Sequence, residues 1–248
     1  MDVRMRARLA ALTLALLATA VTPNACAEDW SWAVEPYVWA ASIKADVRTE
    51  SPLIEGSSEL SFKDILDKLD GSVQLHVEGH AGSHGLFMDF TYIGISEDRR
   101  GTFADTDTEL ENILIEAAWI WKLGGQPDSG PELFLGARYI DADLKVDIVP
   151  LNPVFEERVL RSGESYLDAM VGGRYTWKLS EKWYVTARGD ASFGDTEGSW
   201  NASVMAQYRT AKGAWLFGYR HLAMEIEAAG ATTEITMTGP SFGYAFLF

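Results

Sequence analysis

Residues 168–190 read DAMVGGRYTWKLSEKWYVTARGD. Before Ser180-Glu181-Lys182, Ala169, Val171, Tyr175 and Trp177 alternate with Asp168, Arg174 and Lys178. After it, Val185 and Ala187 alternate with Thr186, Arg188 and Asp190. Alternation with period two is the pleat of a β-strand that has one apolar and one polar face. Two such runs joined by a short polar segment make a hairpin. The aromatic residues of the apolar faces, Tyr175, Trp177 and Trp183, stand next to the turn.

The same pattern extends in both directions. In 72–81 (SVQLHVEGHA), Val73, Leu75, Val77, Gly79 and Ala81 oppose Ser72, Gln74, His76, Glu78 and His80. Ten strands are expected in all: Val34–Val47, Ser72–Ala81, Leu86–Ile95, Glu109–Leu123, Glu132–Leu144, Tyr166–Leu179, Trp183–Phe193, Ser199–Arg209, Trp215–Ile226 and Ile235–Phe248. Short connections (82–84, 124–130, 180–182, 210–213) alternate with mostly longer ones (48–70, 96–108, 147–164, 195–198, 227–234). Short turns at one end and longer loops at the other predict an all-β, closed, antiparallel up-and-down transmembrane β-barrel. Eight or twelve strands are the alternatives. An even strand number puts both termini at the short-turn, periplasmic end. Ser61–Asp70 breaks the rhythm and reads as a short helix capped by Ser61.

The first residues read as an export signal. Arg4, Arg6 and Arg8 precede an apolar run, Leu9–Val21, and Ala25-Cys26-Ala27 supplies small residues for cleavage. Cleavage after Ala27 leaves 28–248 as one barrel domain. A lipid anchor on Cys26, the only cysteine, is the weaker alternative. Without residues 1–27 the chain has 18 basic and 35 acidic residues, a net charge of −17. That charge repels phosphate and excludes nucleic acid as a partner. Mean hydropathy is −0.06, and no later apolar run reaches the ~20 residues of a membrane helix.

Alternation alone does not say which face looks inward. Four features point the apolar face at lipid. Aromatic residues gather near strand ends (Trp119, Trp121, Tyr175, Trp177, Trp183, Trp200, Tyr208, Trp215), where a membrane-interface girdle sits. The lysines of the polar faces are pushed to the turns (Lys122, Lys178, Lys182, Lys212). The apolar faces hold almost no charge. The chain ends on alternating Tyr244, Phe246 and Phe248.

Tyr244-Ala-Phe246-Leu-Phe248 resembles the C-terminal signal read by the barrel-assembly machinery of outer membranes. With Pro36-Tyr37-Val38-Trp39-Ala40 and Asp168–Asp190, it resembles a poorly characterised family of proteobacterial outer-membrane β-barrel proteins. The resemblance implies a Gram-negative outer-membrane location, contact with lipid and lipopolysaccharide, and the barrel fold. It implies no activity and transfers no catalytic residue.

If the polar faces look inward, Asp89, Glu116, Arg138, Asp168, Arg174, Arg188, Asp190 and Arg220 share the lumen and form an ionic network. Glycine precedes three of these arginines by two residues (Gly136, Gly172, Gly218), giving the guanidinium room along the wall. The main expectation is a packed ionic core with a structural role, or a narrow channel for small solutes. The alternatives are a rim-sited enzyme acting on lipid A or peptide, and a surface adhesin using the longer loops. His76 faces inward near Glu78 and Asp89, His80 and His84 lie at the turn end, and His221 has lipid-facing parity. No catalytic constellation, metal-ligand spacing or cofactor motif appears. Two acidic groups, Glu97, Asp98, Asp105, Asp107 and Glu109, and Asp64, Asp67 and Asp70, are more often solvated than cation-binding.

Overall fold

The computed structural model describes residues 30–50, 53–100, 104–124, 128–151, 158–228 and 231–248. The expected export signal and its expected cleavage site lie outside these residues.

Among the described residues, twelve strands and one helix follow in order. They are β1 (Ser31–Trp39), β2 (Ser42–Glu50), β3 (Leu53–Leu60), α1 (Phe62–Asp67), β4 (Leu69–Ala81), β5 (His84–Arg100) and β6 (Ala104–Lys122). Then come β7 (Gly130–Pro150), β8 (Arg158–Lys178), β9 (Trp183–Gly194), β10 (Gly198–Arg209), β11 (Gly213–Ala228) and β12 (Ala231–Leu247). β1 pairs with both β4 and β12, so the sheet from β4 to β12 closes through β1. β2 continues β1 along the same edge of β12, and β3 pairs with β2. β1–β2 and β3–β4 are therefore each one wall strand, interrupted at Ala40-Ala41 and at α1, and the wall is a closed antiparallel barrel of ten strands.

Two sequence expectations change. The long connections are mostly sheet: β5 and β6 pair out to Arg100↔Asp105, and β7 and β8 out to Ile148↔Arg158. β7 and β8 are 21 residues each, about twice the ~9–11 that span a bilayer. In a membrane the excess length would lie beyond the bilayer, where both faces are wet, and there backbone pairing continues after the alternation of side chains has faded. Likewise Arg48–Asp70 is not a free loop; it holds the β2–β3 hairpin and α1. Ser61 Oγ accepts from Asp64 N–H, and Asp64 Oδ2 accepts from Ser61 N–H, a reciprocal cap on both orphan donors. The Ser61 hydroxyl and the Ser61 N–H both donate to Asp64 Oδ2 and hold its carboxyl below the usual carboxylate range.

The apolar faces point outward. Val73, Leu135, Leu167, Val171, Phe193, Val204, Phe217 and Phe242 are exposed, while Glu116, Arg138 and Asp168 on the opposite faces are buried. Of the eight girdle residues, seven lie at the turn end, where Trp183–Tyr208, Trp215–Tyr244 and Tyr175–Trp177 pack ring to ring at 5.0, 4.8 and 4.7 Å. Trp200, at the start of β10, sits at the opposite end beside His221. Phe246 and Phe248 also face outward. Phe248 exchanges both backbone hydrogen bonds with Trp32 and so completes the closing seam.

If this exterior faces lipid, an arginine at its mid-height meets hydrocarbon. Val171→Arg and Val204→Arg are each expected to lower the unfolding free energy in lipid vesicles by ~2–4 kcal/mol, read by urea titration. Unchanged stability would place these side chains away from lipid.

Candidate functional site: an ionic plug above a vestibule

The lumen has three levels, each set by the inward parity of the strands. At the loop end, Trp39, Ala41, Ile93, Ile95, Leu114, Ile140, Leu222, Met224 and Met237 form an apolar cluster closed from above by Ile65 of α1. These residues share parity with Asp89, Glu116, Arg138 and Arg220. The upper interior is thus apolar, which the sequence reading of a polar inward face missed. In these upper segments both faces of a strand are apolar (Ile113 beside Leu114, Tyr92 beside Ile93), so alternation carries no signal there.

The middle level is ionic. Glu116 is fully buried and accepts from three arginines. Arg138 gives Nε and Nη2 to Oε1 at 2.9 and 2.7 Å, Arg220 gives Nη2 to Oε1 at 3.0 Å, and Arg188 gives Nη2 to Oε2 at 2.9 Å. Asp190 accepts from Arg138 Nη2 (2.5 Å), Arg188 Nε (2.7 Å) and Asn201 Nδ2 (2.9 Å). Arg220 also donates Nε to Asn201 and pairs with Asp89 at 3.5 Å. Asp89 in turn accepts from Tyr37 O–H (2.8 Å) and meets His76 Nδ1 (3.1 Å). The Arg188 guanidinium lies against the rings of Phe87 and Phe134, 4.9 and 5.0 Å away, and that of Arg220 over Trp39 at 4.8 Å.

Asp168 and Arg174 stand apart from this group. Although Asp168 is in register with Arg138, its carboxylate accepts from Ser192 O–H, Thr196 O–H and Thr196 N–H. It fastens the short β9–β10 connection and reaches Arg138 only through Ser192. Thr196 was not singled out by sequence, because its parity has no meaning in a turn. Arg174 belongs to a lower group: a bidentate pair with Glu78 (2.6 and 2.7 Å) and a bond to Glu132 at 2.5 Å. His76 bridges the two groups through Glu78 and Asp89, and His80 also meets Glu78.

The glycines before the arginines serve neighbours other than those arginines. A Cβ on Gly172 would strike the Phe134 ring and Asp190 Cβ at 2.4 Å. One on Gly218 would strike Met205 Sδ at 2.0 Å, and one on Gly136 the Ala117 carbonyl at 1.9 Å. Close packing across adjacent strands needs these glycines, while the guanidinium groups reach toward the axis.

The third level, at the turn end, is open. A cavity of about 450 Å³ lies beneath the plug, bounded by Arg188, Arg220 and Asp89 above and by Ser31, His80, Lys122 and Gly130 at the strand ends. His84 packs on Trp119 outside, and His221 faces Trp200 and Thr238. At the loop rim, Glu97 pairs with Lys68 at 3.0 Å, and Glu109 and Asp147 share Lys145, whose ammonium pKa rises in consequence. The Asp98 side chain lies outside the described residues. Among those residues no group of three or more His, Cys, Asp or Glu is arranged to hold a metal ion.

No protein-family model and no curated protein matches the chain. Among solved structures, the outer membrane protease OmpT from Escherichia coli superposes with a TM-score of 0.57 at 10% identity, over 91% of this chain and 99% of that one. Ail, the attachment invasion locus protein of Yersinia pestis, aligns at a TM-score of 0.36 and 8% identity, over 89% and 100%. At such identity the likeness to OmpT gives the barrel fold and nothing of its chemistry.

Removing the central acid leaves three buried guanidinium groups short of charge. Glu116→Gln is expected to destabilise the barrel by ~3–5 kcal/mol, the cost of an uncompensated buried charge, measured by urea unfolding. A loss under ~1 kcal/mol, the range of a solvent-exposed pair, would mean that water reaches the plug.

Proposed function

We propose that this chain is a Gram-negative outer-membrane β-barrel whose lumen is closed, and that its role is structural, a plugged wall element rather than an open pore. The observation that carries the reading is the fully buried Glu116–Arg138 pair, braced by Arg188 and Arg220 across the lumen. Above it the apolar cluster under Ile65 is a second barrier. Ions crossing the barrel would have to break paired buried charges and then enter an apolar layer, both costly. A lumen of ten strands is also narrow, since wide aqueous channels appear nearer 16 strands.

The outward apolar band and the turn-side aromatic belt support the membrane location. The outward Tyr244, Phe246 and Phe248 are proposed as the segment read by the assembly machinery, and lipid and lipopolysaccharide as the surrounding partners. A narrow solute channel remains the second reading, favoured by the vestibule that leads from the turn end to the plug.

Planar-bilayer recording separates the two. The closed wall predicts no steady conductance from the wild-type protein, and discrete openings once Arg138 and Arg220 are both replaced by Ala. Steady ion conductance in the wild type would replace the plug with a channel.

A further inference from the structure

The vestibule is lined by charged groups that are nearly all spoken for. Glu78 and Glu132 are held by Arg174, Asp128 by Arg209, and Asp89 by Tyr37, His76 and Arg220. His80 Nδ1 and Arg209 Nε are buried and unpartnered among the described residues, and two further groups, of opposite charge, have unspent capacity. Glu35, on β1, lines the cavity, and among the described residues it has neither a hydrogen bond nor an ion pair. The charged groups facing it are His76, Asp89 and Glu78. Gly243 of β12, the register partner of Tyr37, leaves room at the carboxylate: a Cβ there would come 3.3 Å from Glu35 Oε1.

The second group is Arg188. Its Nε and Nη2 are committed to Asp190 and Glu116, and Phe87 and Phe134 fix the guanidinium plane. No acceptor among the described residues meets its Nη1, and the residue forms part of the cavity roof. Thr176, Thr186, Ser203 and Gln207 supply neutral hydrogen-bonding groups around the same space. At about 450 Å³ the cavity falls within the ~300–1,000 Å³ of small-molecule sites.

We propose that the vestibule binds a small zwitterion, of the amino acid or dipeptide class, with its ammonium on Glu35 and its carboxylate on Nη1 of Arg188. A singly charged solute satisfies one of these groups and leaves the other dehydrated and unpaired, which is costly. A zwitterion meets both with charge-assisted hydrogen bonds and disturbs none of the existing pairs. The site goes beyond the wall role and does not depend on it, because Glu35 and Arg188 line the vestibule whether or not the barrel conducts.

The test is calorimetric titration of the refolded barrel in detergent with L-alanine and dialanine. L-alanine methyl ester and N-acetyl-L-alanine serve as the cation-only and anion-only analogues. The expected result is saturable one-to-one binding of at least one zwitterion, with both analogues at least tenfold weaker. Glu35→Gln, which alters no existing pair, should weaken zwitterion binding at least tenfold while circular dichroism and heat-modifiable mobility stay unchanged. Arg188→Lys should weaken the zwitterion and the anion-only analogue alike. Absence of saturable binding by either zwitterion, equal binding of all probes, or full affinity in folded Glu35→Gln would overturn the proposal.

Discussion

A carboxylate taken out of water at the centre of a narrow barrel is unstable unless its charge is met in full. Glu116 on β6 is met by Arg138 from the adjacent β7, by Arg188 from β9 and by Arg220 from β11. β6 and β11 stand across the lumen from each other, so the last of these bonds is a brace through the axis rather than a rung along the wall. Asp190 and Asp89 extend the brace to Asn201, His76 and Tyr37. A sheet whose backbone bonds run only between neighbours gains a set of contacts linking strands that are far apart around its circumference. The rest of the interior is arranged about that layer.

Above the brace the interior is apolar and below it hollow. The upper cluster keeps water from the ionic layer on the loop side, and low dielectric strengthens the pairs it covers. Below, Thr176, Thr186, Ser203 and Gln207 are among the residues lining the vestibule, whereas Leu114, Ile140 and Leu222 fill the interior above. The result is a blind, charged vestibule facing the end at which β1 begins and β12 finishes. Stability of the wall and openness of the pocket are therefore assigned to different levels of the same strands.

Much of the fold was legible because a half-buried strand writes its pleat into the sequence. Val171 and Trp177 against Arg174, or Phe242 and Phe246 against Ser241 and Ala245, fix parity, and ten such runs fix the strand number. The charged inward residues could be picked out for the same reason. What alternation could not show was anything that depends on partners far apart in sequence or on a strand apolar on both faces. Leu114, Ile140 and Met237 look like lipid-facing residues by composition, yet they share parity with Glu116, Arg138 and Ser241. Asp168 reads as another network member until Thr196 is placed beside it by the β9–β10 turn. Glu35 gave no signal, since its significance lies in having no partner when every other vestibule acid has one.

The central claim is orientation: apolar faces to lipid, charged faces to the axis. Cys26 is the only cysteine of the sequence, so in a Cys26→Ser background single introduced cysteines can each carry a nitroxide without interference. Spin labels at Val171 and Val204, and at Ser203 and Thr186, can be compared in vesicles for relaxation by oxygen, which concentrates in lipid, and by a water-soluble nickel complex. The account predicts strong oxygen relaxation at Val171 and Val204, and weak oxygen with measurable nickel relaxation at Thr186 and Ser203. The reverse pattern would turn the barrel inside out and contradict it.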